Sequence, residues 1–258
     1  MTAAVRVSRF RDGERSEADD AVVREQSVAL FVGGQRLLRL QCLPASIEDL
    51  ALGLLATSDL LHPREPLPAI RYEPEAGAVH VDLDVSEQAV AALRDSMTLG
   101  SGCGSAFAPN GEFDPFSCSR RIDTAFRVRP DAIAQGMTAL MQRSALFRDT
   151  GGVHSAAIAA GAEIVAFADD IGRHNAFDKV VGACRRQGID LLDKVVLVTG
   201  RLSRELVAKA VPVSLPVLAS RGAPTDAGIA LADQANLTLI GFARAGRMNV
   251  YTAEWRLG

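Results

Sequence analysis

Between residues 153 and 243, short apolar stretches alternate with stretches of helical periodicity, and this alternation constrains the fold more than any other feature. The apolar stretches are EIVAFA at 163–168, KVVLVTG at 194–200, LPVLAS at 215–220 and LTLIGFA at 237–243. The amphipathic stretches between them are AFDKVVGACRRQG, SRELVAKAV and TDAGIALADQA. Apolar strands separated by helices are typical of a parallel sheet covered by helices. We therefore predict an α/β domain that is entered through a hairpin at Gly161.

The preceding part of the chain predicts a smaller, strand-rich subdomain. Two apolar stretches flank Gly33-Gly34, which is typical of a two-residue hairpin turn, and Ser46 precedes a stretch with the periodicity of a capped helix. Alternating patches within 63–94 indicate a further strand or two. Residues 98–120 are rich in glycine and show neither period, so we predict a long loop there, of the kind that is often functional.

These patterns divide the chain into three parts. Residues 1–20 are polar and charged, which predicts a flexible N-terminal arm outside the core. Residues 21–125 form the strand-rich subdomain, including the loop 98–120. Residues 126–258 form the α/β subdomain that we expect to bind a cofactor, beginning with a helix capped by Asp131.

Charge and composition narrow the function classes. Lys and Arg number 28 against 31 Asp and Glu, a net charge of -3, without the basic excess typical of nucleic-acid or anionic-membrane binding. No apolar run approaches the roughly 18–20 residues of a membrane span, and the first residues lack the apolar core of a signal peptide. We therefore expect a cytoplasmic protein with no nucleic-acid or membrane partner.

An arginine follows every predicted strand of the α/β subdomain. The carboxyl ends of parallel strands meet at one edge of a sheet, where ligands bind in folds of this class. Guanidinium groups suit phosphate and pyrophosphate because they bind bidentately. The set predicts a bound polyanion, although any single member could equally be solvated or paired with an acid. Its members are Arg173, Arg201, Arg221, Arg244 and Arg247.

Familiar nucleotide and metal motifs are missing. The sequence has no G-x-x-x-x-G-K-[ST], and residues 100–105 fail the G-x-G-x-x-G pattern at its last position. His154 lacks the H-x-E acid of a zinc deaminase, and no P-C-x-x-C follows it. The four cysteines include no C-x-x-C pair. We predict neither a P-loop nor a dinucleotide-binding oxidoreductase, and no catalytic metal.

The candidate nucleophile is Cys103, which lies between Gly102 and Gly104 in the predicted loop. A reactive thiolate needs access and positive surroundings, and the arginine set could supply the latter. Cys118 beside Arg120 is a second candidate, as a resolving or relay thiol. The other two, Cys42 and Cys184, are expected to be small core residues.

Two histidines accompany the arginines. We interpret His174 as a proton donor and phosphate contact, with local packing at a helix start as the alternative. His154 could equally be a structural histidine. A single sequence leaves these alternatives open.

Five segments together resemble the formate dehydrogenase accessory sulfurtransferase family. They are TGGVHSAA at 150–157, DDIGRHNAFDKVVG at 169–182, LVTGRLSRELVAKA at 197–210, LASRGAPTDAGIALA at 218–232 and GFARAGRMNVYT at 241–252. The resemblance implies a cytoplasmic, usually dimeric protein with a cytidine-deaminase-like core. It further implies that a cysteine persulfide takes sulfur from a cysteine desulfurase and passes it to the molybdenum or tungsten bis-guanine-dinucleotide cofactor of formate dehydrogenase. The catalytic subunit of that dehydrogenase would be the second protein partner.

The resemblance also assigns residues. It places the cofactor on the stretch Phe242, Ala243, Arg244, Ala245, Gly246 and Arg247, to which the strand-end argument points independently. It makes Cys103 the persulfide carrier. Better-known members carry C-G-x-C-G in the loop, whereas this chain reads G-S-G-C-G at 100–104, which excludes a disulfide relay within the motif.

Two other functions remain open at this point. A cofactor chaperone would bind and deliver the dinucleotide without carrying sulfur, and the missing second cysteine keeps this reading open. A nucleotide-processing enzyme on a deaminase-like fold is the third, weakened by the absent metal ligands and acid.

Overall fold

The structure is a computed structural model of the 258-residue chain. It describes the backbone of residues 1–99, 105–107 and 120–258, and the side chains within 1–91, 93–94 and 120–258. The strands are β1 Thr2–Arg11, β2 Glu14–Val23, β3 Gln26–Val32, β4 Gln35–Cys42, β5 Ala69–Glu73, β6 Ala78–Asp82, β7 Met97–Leu99, β8 Ser105–Phe107, β9 His154–Ala160, β10 Glu163–Asp170, β11 Val195–Val198, β12 Val217–Ser220, β13 Thr238–Arg244 and β14 Arg247–Val250. The helices are α1 Ile47–Thr57, α2 Glu87–Ser96, α3 Pro130–Arg143, α4 Ala145–Thr150, α5 Arg173–Arg186, α6 Arg204–Ala210 and α7 Asp226–Gln234, followed by a 3₁₀ turn at Glu254–Arg256.

The α/β part is a six-stranded sheet with the order β10-β9-β11-β12-β13-β14. The four strands predicted from the apolar stretches all run in one direction, as expected, and β11, β12 and β13 are parallel neighbours. The sheet is nevertheless mixed, which corrects the prediction of a parallel sheet. The turn at Gly161 folds β9 back between β10 and β11, and β14 pairs antiparallel with β13 at the other edge. Both additions come from short reversals of the chain.

The N-terminal part is a four-stranded sheet with the order β4-β3-β6-β5. The hairpin at Gly33-Gly34 is confirmed: φ is +54° at Gly33 and +80° at Gly34, values that favour glycine and are typical of a type I′ turn. The strands predicted within 63–94 are confirmed as β5 and β6. Helix α2 follows them and was not predicted.

Residues 1–20 were predicted to be a flexible arm but form most of a hairpin, in which β1 pairs antiparallel with β2. The turn is Asp12-Gly13, with both φ values positive, a short-range hairpin signal within a polar sequence. Arg6 of β1 forms ion pairs with Glu17 and Asp19 of β2, and these exposed charges explain the polar composition. The hairpin lies outside the hydrophobic cores.

The helix starts differ in detail from the capping predictions. Ser46 is the N-cap of α1, but its backbone is left-handed and its side chain accepts no capping hydrogen bond. Helix α3 begins at Pro130 with Arg129 as N-cap, because proline suits a first turn in which no N–H is needed. Asp131 therefore lies inside the first turn, paired with Arg129.

Residues of both sheets belong to one hydrophobic core, and helices α1 and α5 contribute to that core and pack against each other. They cross where glycines face each other's backbone: a Cβ built on Gly182 would overlap the carbonyl oxygen of Asp49 and lie 2.7 Å from its carbonyl carbon. A Cβ on Gly53 would meet the carbonyl group of Asp178 in the same way. The core includes Leu30 of β3 as well as Val196 of β11.

A buried ion pair fixes three helices to one another. Lys209 of α6 donates to both carboxylate oxygens of Asp178 on α5, at 2.9 and 2.8 Å, and to Thr57 of α1 at 3.2 Å. Thr57 in turn donates to Asp178 at 2.8 Å. The two charged side chains are 3% and 1% exposed, so neither charge is solvated by water.

We expect Lys209→Met to lower the free energy of unfolding by about 3–5 kcal/mol, because it leaves the Asp178 carboxylate buried without its counter-charge. The double variant Lys209→Met with Asp178→Asn should recover much of that loss, since no charge is then buried. Urea unfolding measures both. The control is Arg129→Met, which breaks an exposed pair and should change stability too little to resolve. A loss for Lys209→Met no larger than the control's would contradict the assignment.

Candidate functional site

Hydrogen bonds between neighbouring strand ends draw the predicted arginine segments together at one edge of the large sheet. The backbone N–H of Arg221, directly after β12, donates to the carbonyl of Val198 at the end of β11 over 3.3 Å. The N–H of Phe242, near the end of β13, donates to the carbonyl of Gly222 over 3.1 Å. The segments after β11, β12 and β13 are therefore one continuous edge, as the strand directions predict.

Arg221 and Arg244 line one pocket of about 220 Å³ at this edge. Ala243 and Ala245 contribute to the same wall. Helix α3 supplies the opposite wall, with Met137, Thr138, Met141 and Gln142. Arg221 is half-buried and Arg244 is exposed, so both guanidinium groups remain available to an anion from solvent. The contribution of α3 was not predicted, since nothing in its sequence indicates which sheet edge it faces.

The backbone between β13 and β14 is irregular where the resemblance places the cofactor. The pairing of the two strands shifts register between Gly241 and Arg244. Phe242 has a φ of +54°, a left-handed conformation that is costly for a bulky residue and often marks a functional site. Gly246, with a φ of +82°, forms the turn that brings Arg247 opposite Arg244.

The remaining members of the arginine set do not line this pocket. The stem of Arg173 packs on Gly200, where a Cβ would come within 2.9 Å of Cδ of Arg173. Arg173 is 9% exposed, so its guanidinium is largely enclosed. Arg201 and Arg247 are exposed and do not line the Arg221–Arg244 pocket. The sheet edge therefore presents two arginines in a pocket and two on open surface, with a fifth enclosed.

Both histidines lie near Arg173 and are neutral at pH 7. Burial lowers the pKa of His174 to about 3, and Lys209, Arg173 and His154 add to that effect. Burial also lowers the pKa of His154, as does Arg173. His154 Nδ1 lies 3.3 Å from the hydroxyl of Thr199. A neutral His174 can form hydrogen bonds but adds no positive charge for a phosphate. Its predicted role as a proton donor and phosphate contact is therefore limited to hydrogen bonding.

The described cysteines are poor nucleophiles. Cys42 and Cys184 are both 0% exposed, which confirms them as core residues. Burial raises the pKa of each thiol to about 12, so both remain protonated near neutral pH. The two candidates from the sequence, Cys103 and Cys118, lie outside the described residues.

Comparison with known proteins establishes the family. Residues 23–258 match the model of the FdhD/NarQ family. A sulfur carrier protein FdhD from Bacillus subtilis is 32% identical over 257 residues, covering 100% of this chain and 98% of that protein. A sulfur carrier protein FdhD from Wolinella succinogenes is 34% identical over 244 residues, covering 94% of this chain and 84% of that protein. The chain belongs to the FdhD/NarQ family.

A solved structure shares the fold. The crystal structure of a chain from Desulfotalea psychrophila, assigned provisionally as a formate dehydrogenase accessory protein, superposes with a TM-score of 0.79 at 23% identity. The match covers 100% of this chain and 99% of that one. The mixed α/β architecture described above is thus also the architecture of that protein.

Helix length bears on membrane association. Among the residues that the structure describes, no helix is both long enough and apolar enough to cross a bilayer.

Proposed function

We propose that this protein carries sulfur as a persulfide on Cys103 and passes it to a molybdenum or tungsten bis-guanine-dinucleotide cofactor for formate dehydrogenase. The observation that carries the proposal is the pocket in which Arg221 and Arg244 meet at the edge of the large sheet. Family membership adds to it, since the curated relatives are sulfur carrier proteins. Under this proposal the protein is a sulfurtransferase and the cofactor is its substrate.

The pocket suits the phosphate end of a dinucleotide. Two planar guanidinium groups can each bind phosphate oxygens bidentately. The backbone irregularity at Phe242 and the turn at Gly246 leave main-chain groups near Arg244 outside regular pairing. We propose that Phe242, Ala243, Ala245 and Arg247 contact the same ligand, with Arg173, His174 and Arg201 toward its far end.

Sulfur acceptance needs one thiolate and no change of oxidation state. In the proposed step, the Cys103 thiolate attacks the outer sulfur of the desulfurase persulfide. A new sulfur–sulfur bond forms, the old one breaks, and the desulfurase thiolate leaves. A single cysteine suffices, which fits the G-S-G-C-G loop sequence. The thiols of Cys42 and Cys184 are buried and their pKa values are raised, so neither competes with Cys103 for the persulfide sulfur.

The remaining expectations belong to the same proposal. The partners would be a cysteine desulfurase and the catalytic subunit of formate dehydrogenase, and the protein would act as a homodimer in the cytoplasm. The core would be of the cytidine-deaminase-like type, without a catalytic metal held by the protein itself.

We expect Arg244→Ala to weaken GDP binding by about tenfold or more, because a charge-assisted contact to phosphate is worth more than about 1.4 kcal/mol. GDP should bind more tightly than ADP to the wild-type protein. Isothermal titration calorimetry measures both, with Arg129→Ala as the control for loss of an arginine elsewhere on the surface. Equal affinity of wild type and Arg244→Ala for GDP would contradict the pocket assignment. Equal affinity for GDP and ADP would remove only the guanine preference.

A chaperone function is the second candidate. It would use the same pocket to deliver the cofactor, with the thiol incidental, and the single cysteine of the loop favours it. A Cys103→Ser variant that still activates formate dehydrogenase in cells lacking the accessory protein would favour the chaperone.

A further inference from the structure

The two faces of the N-terminal hairpin differ in character. Side chains alternate between the faces of a strand, and residues directly opposite each other in β1 and β2 lie on the same face. One face carries Arg6, which is paired with Glu17 and Asp19. The other face, which we call the apolar face, carries five aliphatic side chains: Ala3, Val5, Val7, Ala18 and Val22.

The apolar face is open to solvent within the described part of the chain. Val5 is 43% exposed and Val22 is 38% exposed, although both are aliphatic. The contact between the hairpin and the rest of the chain at Gly152 is made from the opposite face, where a Cβ on Gly152 would lie 2.9 Å from Cγ2 of Val23. A two-stranded ribbon is marginally stable in water by itself, so a covering partner for its apolar face is expected.

The two strands of the hairpin carry opposite charges. Strand β1 contains three arginines and no acidic residue, whereas β2 contains four acidic residues and one arginine. If a second copy paired edge to edge with this hairpin about a two-fold axis, β1 would lie against β1, or β2 against β2. Like charges would then face each other, which is unfavourable. The edges of the hairpin therefore disfavour symmetric pairing with another copy.

Packing of two apolar faces has no such conflict. About a two-fold axis that runs along the hairpin, β1 of one copy lies over β2 of the other at about 10 Å. Such an axis preserves position along the strands, so each residue lies over the partner's copy of the residue that it faces in its own hairpin. The apolar Val7 then lies over Ala18 of the partner subunit. Near the tip, Arg11 lies over Glu14 of the partner subunit.

One ion pair on the apolar face is compatible with this packing. Arg9 contacts Asp20 at 3.4 Å, and their side chains are 36% and 51% exposed. An exposed pair of this kind contributes little to stability, so its geometry can change when a partner binds. The aliphatic stem of Arg9 can remain on the apolar face while its guanidinium reaches solvent at the rim.

We propose that the apolar face of the hairpin docks a second copy of this chain, face to face, about a two-fold axis along the hairpin. This deepens the homodimer expectation of the proposed function by naming its surface, and it is independent of sulfur transfer. A face of two ten-residue strands is about 30 Å long and 10 Å wide, less than the roughly 800 Å² per partner of a standard interface. We therefore expect a reversible dimer with a Kd of about 1–100 µM.

Mixing two charge-reversal variants tests this arrangement directly. Arg11→Glu places two carboxylates over each other in its own homodimer, and Glu14→Arg places two guanidinium groups over each other. Each should therefore dimerise at least about tenfold more weakly than wild type. Mixed in equal amounts, the two variants should form heterodimers, detected by native mass spectrometry, in excess over both homodimers. Rearrangement within one hairpin cannot produce this result, because each variant still carries like charges at positions 11 and 14.

The control is Arg15→Glu, which makes the same charge change near the tip on the opposite face and should dimerise as wild type does. A wild-type protein that is monomeric at about 100 µM would overturn this proposal and the homodimer expectation together. Homodimers of both single variants as tight as the wild type's would overturn only the surface. Assemblies larger than a dimer would also overturn it, because they indicate head-to-tail pairing of strand edges. Sulfur acceptance, measured separately, tests the proposed function.

The apolar contribution is tested by Val5→Thr combined with Val22→Thr. Threonine keeps the β-branched shape that suits a strand, so we expect an unchanged Tm at a concentration at which the protein is monomeric. The dimer should weaken by at least about tenfold, because both copies lose apolar surface at the interface. Ala4→Thr on the opposite face is the control and should leave the Kd unchanged. Sedimentation velocity measures the Kd, and an unchanged value in the double variant would overturn the proposal.

Discussion

Gly182→Ala should destabilise the protein by about 3 kcal/mol or more, because the added methyl group has no space at the crossing of α1 and α5. Its Cβ would overlap the carbonyl oxygen of Asp49 and lie 2.7 Å from the carbonyl carbon and 2.9 Å from the N of Gly53. These are backbone atoms, which cannot rotate away as a side chain can. The helices must separate instead, and the core between the two sheets loses contact. Urea unfolding followed by circular dichroism measures the loss.

Gly136→Ala is the matched control within another helix. Its Cβ would meet the terminal Cδ1 of Leu197 at 2.9 Å, a flexible group that can move, and alanine gains about 1 kcal/mol of helix propensity. We therefore expect its stability to remain within about 1 kcal/mol of wild type. If both variants lost the same stability, the close α1–α5 approach would not be the reason for glycine at 182.

The elements that the sequence predicts are those with a complete local signal. Strand β11 and helices α5 and α7 combine the right period with clear ends, and the Gly33-Gly34 and Gly161 turns carry the residues their geometry requires. The position of β9 inside the sheet could not be predicted in this way. An antiparallel partner and a parallel neighbour present the same apolar pattern, and the choice between them depends on contacts distant in sequence.

The N-terminal hairpin shows the opposite case. Composition favoured a flexible arm because Arg6, Glu17 and Asp19 make the segment polar. In the structure the same charges pair across the two strands, and Asp12-Gly13 forms the turn. The Asp12-Gly13 turn signal agrees with the structure, whereas the prediction from polar composition does not.

The sequence predicted the sheet edge at which these arginines lie, but not which of them line the same pocket. The strand-end rule placed Arg221 and Arg244 at one edge, and the structure brings them together around one pocket. The sequence could not show that the stem of Arg173 packs on Gly200, or that His174 lines a different cavity. Those outcomes depend on the α1–α5 crossing and on the Asp170 contacts, which join residues more than 100 positions apart.

Cys103→Ser should abolish sulfur acceptance, the largest effect that we expect from any single substitution in this chain. Without the thiolate no persulfide can form at residue 103, and burial holds the pKa of the Cys42 and Cys184 thiols near 12. Cys118→Ser is the matched control, since it removes the other cysteine that the structure does not describe. It should accept sulfur as wild type does.

The most direct test of the central claim is mass spectrometry of the protein after incubation with a cysteine desulfurase and cysteine. We expect a gain of one sulfur atom that a reductant removes, located on the peptide containing Cys103 in wild type and in Cys118→Ser, and absent in Cys103→Ser. A gain on Cys118, or an undiminished gain in Cys103→Ser, would contradict the assignment of Cys103 as the sulfur carrier.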